Sequence, residues 1–380
     1  MTAQLHDPVD ATRAPERPRR RLLHFDNLRV ALTVLVVMHH AAITYGNIPV
    51  WYYVEPATDD TGIALDLFAL TNQSFFMGFF FLIAGYFVPA SFDRKGPRSF
   101  MRGRLVRLGV PLLLFTVALR PILTLNSYLT EWDMPYWLFY IVSWDPGPMW
   151  FVEVLLMFSL GYLVVRRLRP RDTAKPSRTT SGRIPRTHAI LGFAIGLGLA
   201  TYVWRAIMTA VYWPVLGLPS PGFLPQYLAM FIVGVYAYRN GWLEKIPRAA
   251  MVWCAAAAVV SLAVYVPTMA MAGTVSTEWS PIMLANSLAE SGVVIGMIGF
   301  ATGLFQRIAR HQNRFARFLS DNAFAVYVVH PLVLVAGGYA LSAWEASALA
   351  KFAVLALIAV PLCWLVACAV RTIPGARRVL

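Results

Sequence analysis

The chain has 380 residues, 58% of them hydrophobic and only 14% charged, with a mean hydropathy of +0.57; this excludes a soluble domain of such length and implies an all-α, polytopic membrane protein. The net charge of +14 comes from Lys and Arg clustered between apolar runs, the pattern of cytoplasmic loops, so no nucleic-acid partner is expected. Cys254, Cys363 and Cys368 all lie within apolar runs and offer neither a disulfide framework nor a metal-ligand spacing.

In chain order, Met1 to Arg21 is polar and rich in Pro and Arg, without an apolar core that a peptidase could remove. Residues 1–27 are expected to be a disordered, basic cytoplasmic segment, followed by a retained first span from Leu28 to Gly46. The next loop carries Glu55, Asp59, Asp60 and Asp66 and no Lys or Arg, so it is placed outside. Leu67 to Val88 returns, and Arg94, Lys95, Arg98, Arg102, Arg104 and Arg107 mark the inner side. A third span, Leu108 to Leu125, leads to an aromatic stretch from Tyr128 to Trp150, expected to be interfacial or re-entrant. Trp150 to Val165 is the fourth span and closes an N-terminal half over 28–165.

Residues 166–187 are basic and rich in Pro, Ser and Thr, the composition of a flexible cytoplasmic linker. The C-terminal half, 188–371, holds six further runs: Ala189 to Val211, Phe223 to Tyr238, Met251 to Met271, Pro281 to Leu304, Ala323 to Leu341 and Ala346 to Val370. Between the fourth and fifth of these, residues 305–319 carry Arg307, Arg310, His311, Arg314 and Arg317 among Ile308, Phe315 and Phe318, which predicts a basic amphipathic helix on the inner face. Residues 372–380 form a cytoplasmic tail. The bookkeeping gives about ten spans in a cell (inner) membrane with both termini cytoplasmic, and no internal repeat of the inverted-repeat transporter kind.

Polar groups inside these runs are functional candidates by default. Arg29 and His40 are eleven residues apart, about three turns and ~16 Å of rise, so they share one helix face at different depths. Imidazole exchanges protons near neutrality, which suits His40 as a general base; alternatively His39 and His40 hydrogen-bond between helices. Asp26 and Arg29, three apart, can pair at the inner mouth. Arg104 and Arg107 are also three apart, able to fork onto phosphate oxygens or simply to mark the inner boundary. Glu153 lies about one turn below the outer boundary, and Glu290 lies within the eighth span. His330 sits mid-span beside Tyr327, and Pro331 after it frees a backbone carbonyl that His330 could satisfy.

Phe25-Asp26-Asn27-Leu28-Arg29 followed by His40 resembles the first-span motif of the acyltransferase-3 family of membrane acyltransferases, which move acyl groups from acyl-CoA to envelope glycans and other acceptors. Phe81 to Phe87, Phe100 to Pro111, Phe231 to Tyr238 and Ser320 to Leu332 resemble later landmarks of that family in the same order. The resemblance implies that His40 is the essential histidine, that Arg29 is its paired arginine, and that Arg104 and Arg107 serve the acyl-CoA end. Glu153 follows its Trp more closely than in the common family form. The resemblance further implies a short acyl-CoA as donor, with acetyl-CoA expected, and no metal. The acceptor would be a glycan, a lipid-linked sugar or a small hydroxylated molecule, with a separate periplasmic partner delivering it if needed. His40 would act as general base or carry the acyl group itself, with Glu153 catalytic beside it and Asp26, His39, Tyr327 and His330 supporting. The alternative is a proton-coupled transporter or flippase that uses the same intramembrane His, Glu and Arg groups.

Overall fold

The computed structural model describes residues 22–168, 182–208, 212–213, 217–219, 221–272 and 279–380. The greater parts of the expected N-terminal segment and linker lie outside them. The described chain is all-α apart from one two-residue antiparallel pairing, Tyr212–Trp213 with Leu218–Pro219.

Helix α1 spans Leu23–Tyr45, so residues 23–27 are helical and not disordered as expected. The reason is burial: Phe25 is fully buried against the rings of Tyr86 and Phe87, at 5.0 and 5.8 Å. Asn27 Nδ2 also donates to the Ala309 carbonyl at 3.1 Å. Helices α2 (Thr61–Gln73) and α3 (Phe76–Arg104) follow. Within α3, Gly96 has φ +73° and precedes Pro97, whose ring disfavours helical geometry in the residue before it; only glycine takes that backbone without strain. The rings of Phe92 and Phe100 meet at 5.5 Å across the turn.

Beyond the turn, the helix widens twice into π turns, at Leu105–Gly109 and Phe115–Leu119, flanking α4 (Val110–Leu114) and leading to α5 (Arg120–Glu131). Each π turn ends two residues before a proline, Pro111 and Pro121. Proline has no N–H for the carbonyl four residues back and its ring crowds that carbonyl, so widening the turn relieves the clash. The expected re-entrant stretch contains the short helix α6 (Tyr136–Val142). Helices α7 (Trp150–Leu168), α8 (Thr187–Ile207), α9 (Leu224–Asn240) and α10 (Arg248–Ala272) come next. They are followed by α11 (Pro281–Ile308), α12 (Arg314–Leu341), α13 (Ala348–Val370) and the terminal α14 (Ala376–Val379).

Eight described helical stretches are long and apolar enough to cross a membrane. The ten runs expected from the sequence all fall on helices, but the second and third share the single stretch Thr61–Glu131 turned at Gly96. The sixth corresponds to α9, which has only 17 residues. One amphipathic helix over 305–319 does not form. Residues 305–308 end α11, 309–313 are non-helical, and α12 starts at Arg314. The break is fixed by Asn313, whose side chain caps α12 through the Ala316 N–H at 2.7 Å, and by Gln312, which donates to Asn27 at 3.0 Å.

The main core draws on both sides of the linker, with Phe25, Phe81, Tyr227 and Val293 in one cluster. Helices α3 and α9 cross closely enough that a Cβ on Gly85 would lie 2.1 Å from the Phe231 carbonyl, and one on Gly234 2.1 Å from that of Leu82. Such small-residue contact is how helices associate where lipid gives no hydrophobic drive between them.

Candidate active site

The carbonyl of Tyr327 determines the chemistry of the site. Pro331 cannot donate to it, and the Nδ1–H of His330 takes that place at 2.7 Å. A His330 that donates from Nδ1 leaves Nε2 as an acceptor, and Nε2 faces Nδ1 of His40 at 3.3 Å. Nδ1 of His40 also lies 3.0 Å from the Val36 carbonyl, so it must carry the hydrogen, shared between Val36 O and His330 Nε2. The proton of each imidazole is thereby assigned. His40 Nε2 is left with a lone pair and no hydrogen-bond partner among the described residues. His330 thus contacts both the carbonyl freed by the proline and the His40 ring.

His40 opens onto a cavity of about 820 Å³. Its wall includes His39, Trp51, Gln73, Phe76, Trp150 and Tyr327. The indole of Trp51 stacks on His40 with centroids 4.1 Å apart and planes 25° from parallel, while His39 is buried against Phe76 at 5.0 Å. The Tyr327 hydroxyl donates to the Pro148 carbonyl. His40, His39, His330 and Tyr327 therefore lie together.

The arginines do not join them. Arg29 pairs with Asp26 at 2.7 Å and lies over Phe87 at 5.3 Å, outside the cavity wall. Arg104 is half-buried over Phe100 at 5.4 Å and Arg107 is exposed; the π turn from Leu105 interrupts the α-helical spacing expected between them. Glu153 is half-buried on α7, also off the wall. Glu290 belongs elsewhere: Arg205 pairs with it at 2.5 Å and Gln226 donates to it at 3.1 Å, a polar cluster between α8, α9 and α11.

Sequence reasoning missed the frame around His40. Arg120 is fully buried and holds the α6 segment through the carbonyls of Tyr140 and Ser143 and through Asp145 at 3.5 Å. Asp145 accepts from the Tyr52 hydroxyl at 3.3 Å, next to Trp51. The rule that singled out Glu153 applies equally to Arg120, a lone cation inside an apolar run. At its far end the 46–60 loop is tied to α13. Glu55 pairs with Lys351, and Asp59 accepts from the Ala348 N–H at 2.9 Å.

Two imidazoles on different helices, hydrogen-bonded to one another, thus meet at a cavity lined largely by aromatic and apolar side chains. Residues 22–368 match the family model described as an acyltransferase domain, and the chain belongs to this acyltransferase-3 family of membrane acyltransferases. It is 24% identical over 341 residues to glucans biosynthesis protein C of Escherichia coli strain K12, covering 85% of this chain and 84% of that protein. The O157:H7 counterpart is 24% identical over 343 residues with the same coverage, and that of Shigella dysenteriae serotype 1 is 24% identical over 341. No solved structure matches the chain.

Proposed function

We propose that the chain transfers an acetyl or other short acyl group from acyl-CoA to a hydroxyl of an uncharged envelope carbohydrate, with His40 Nε2 as the base. The observation that carries this is the fixed lone pair of Nε2 at the cavity. As the acceptor oxygen bonds to the thioester carbonyl carbon, its proton passes to Nε2. When the C–S bond breaks, the same proton leaves with the CoA sulfur. His40 could also take the acyl group first and pass it on.

The described cavity wall contains Glu131 and Asp145 but no Lys or Arg, together with the rings of Trp51, Tyr52, Trp132 and Tyr339. Such a wall repels anionic acceptors and also the CoA phosphates, and it offers flat apolar surfaces to sugar faces. The printed name of the relatives, glucans biosynthesis protein C, supports a glucan as acceptor. With the basic loops inside, both termini are cytoplasmic, the membrane is the cell (inner) membrane and the cavity faces outward. Arg104 and Arg107 then hold the donor phosphates on the inner side, with Arg29 at the mouth of the first span. Glu153 orients an acceptor hydroxyl from the outer half, and a separate periplasmic protein delivers a large acceptor.

The test is release of CoA thiol, and transfer of label, from radiolabelled acetyl-CoA to neutral glucan in membranes holding the wild type or an inserted His40→Ala variant. Label on the glucan with the wild type alone supports the assignment. Absence of both CoA thiol and acylated product over a panel of short acyl-CoA donors would point instead to transport.

A further inference from the structure

Trp51 stands out because its indole N–H is buried and has no hydrogen-bond partner among the described residues, although its ring lies on His40 and in the cavity wall. A buried donor left unpaired destabilises the fold, so each such group calls for an explanation, a catalytic role among them. The chain on either side of the indole is also anchored. On one side, the Val50 N–H donates to Ile48 O at 2.9 Å. On the other, Tyr52 is bonded to Asp145 at 3.3 Å, and Tyr53 donates to Glu55 at 3.1 Å. The Tyr53 ring fits so closely over Gly338 that a Cβ there would lie 2.5 Å from it. The chain that carries the donor is therefore held before any substrate arrives, a condition that favours a hydrogen bond to a developing charge.

We infer that Trp51 Nε1–H is a catalytic hydrogen-bond donor to the carbonyl oxygen of the acyl group as it becomes an oxyanion, an inference that rests on the acyl-transfer reading above. The near-parallel stack suits this role. An acceptor hydroxyl bonded to His40 Nε2 would lie in the imidazole plane and a carbonyl bonded to Trp51 Nε1 in the indole plane, of rings whose centroids are 4.1 Å apart. The hydroxyl oxygen and the carbonyl carbon thus approach across the stack. The oxygen–carbon bond forms, the carbonyl π pair moves onto the oxygen facing Nε1, and the hydroxyl proton goes to His40. Collapse returns that pair and expels the CoA sulfur, which takes the proton. No oxidant, reductant or further reactant is needed.

The decisive variant is Trp51→Phe, which keeps a stacking ring and removes the N–H. In the acyl-CoA and glucan assay its kcat should fall roughly 100-fold or more, the loss typical of one missing oxyanion donor. The KM for acyl-CoA should stay within about two-fold and the pH profile should keep its shape, because indole does not titrate. A role in packing alone would not separate kcat from KM in this way. Trp253→Phe, on an exposed face of α10, controls for loss of a tryptophan, and thermal challenge with gel filtration checks that Trp51→Phe is folded. A folded Trp51→Phe protein within about three-fold of wild-type kcat overturns the assignment and leaves acyl transfer standing. Wild-type protein that releases no CoA overturns the acyl-transfer reading and this inference with it.

Discussion

Replacing His330 separates two jobs that the structure gives to one side chain. Its Nε2 accepts the His40 Nδ1–H at 3.3 Å, and its Nδ1–H satisfies the Tyr327 carbonyl at 2.7 Å. When His40 accepts a proton at Nε2, the bond from its Nδ1–H becomes charge-assisted, worth about 1.5–3 kcal/mol. At tenfold per 1.36 kcal/mol, His330→Leu should lower kcat roughly 10- to 150-fold. The loss should stay smaller than in His40→Ala, because the Val36 carbonyl still holds the His40 tautomer. His330→Gln places an amide oxygen near the former Nε2, so it should retain most of kcat. Both variants deprive the Tyr327 carbonyl of its partner and should lose thermal stability similarly. The assay is kcat for CoA release alongside thermal challenge monitored by gel filtration. Equal kcat in folded Leu and Gln variants, or a folded Leu variant as inactive as His40→Ala, would refute this role of His330.

Arg104→Ala and Arg107→Ala should raise the KM for acyl-CoA with little change in kcat, the signature of lost ground-state binding; initial rates against donor concentration check this, and a fall in kcat alone counts against it. Arg120→Ala removes the partner of Asp145 and of two carbonyls. It should destabilise by about 3 kcal/mol, the lower end for a broken buried pair because Asp145 stays 28% exposed, and unchanged thermal inactivation would refute this. The Asp59 carboxyl is held below its ordinary range by the Thr61 hydroxyl, then by the N–H groups of Ala348 and Thr61. A depressed native value contributes stability above the unfolded pKa, about 3.9, and loses it as pH falls through the native one. Asp59→Asn should therefore lower the midpoint of thermal unfolding at pH 7 and flatten its dependence below about pH 4; identical acid profiles would show that the contact does not hold the loop.

The helices were legible because each must present a long apolar run to lipid, a one-dimensional property of the sequence. His40 and His330 were legible because a titratable group in such a run has few structural excuses. Their juxtaposition was not, since 290 residues separate them and nothing in either span encodes which helix faces which. Pro331 came nearest, because it marks the freed Tyr327 carbonyl that turns His330 into an acceptor for His40. Trp51 was hidden for the opposite reason: in a loop between spans an indole reads as an interfacial anchor, and only the fold stacks it on an imidazole. The predicted helix over 305–319 failed because composition gave an amphipathic face but could not register the cap at Asn313.

The separation of the arginines from the cavity carries its own mechanistic consequence. Arg29 lies ~16 Å along α1 from His40, and between them Leu32 and Val36 are buried in the core. A donor whose phosphates stay at the basic end can therefore bring only its uncharged thioester arm to His40. The cavity, whose described wall is free of Lys and Arg, suits that arm and an uncharged sugar but neither a pyrophosphate nor an acidic glycan. On the proposed acyl-transfer reading, packing at Leu32 and Val36 would control donor access, and the charge pattern would bring donor and acceptor to His40 from opposite ends of one helix.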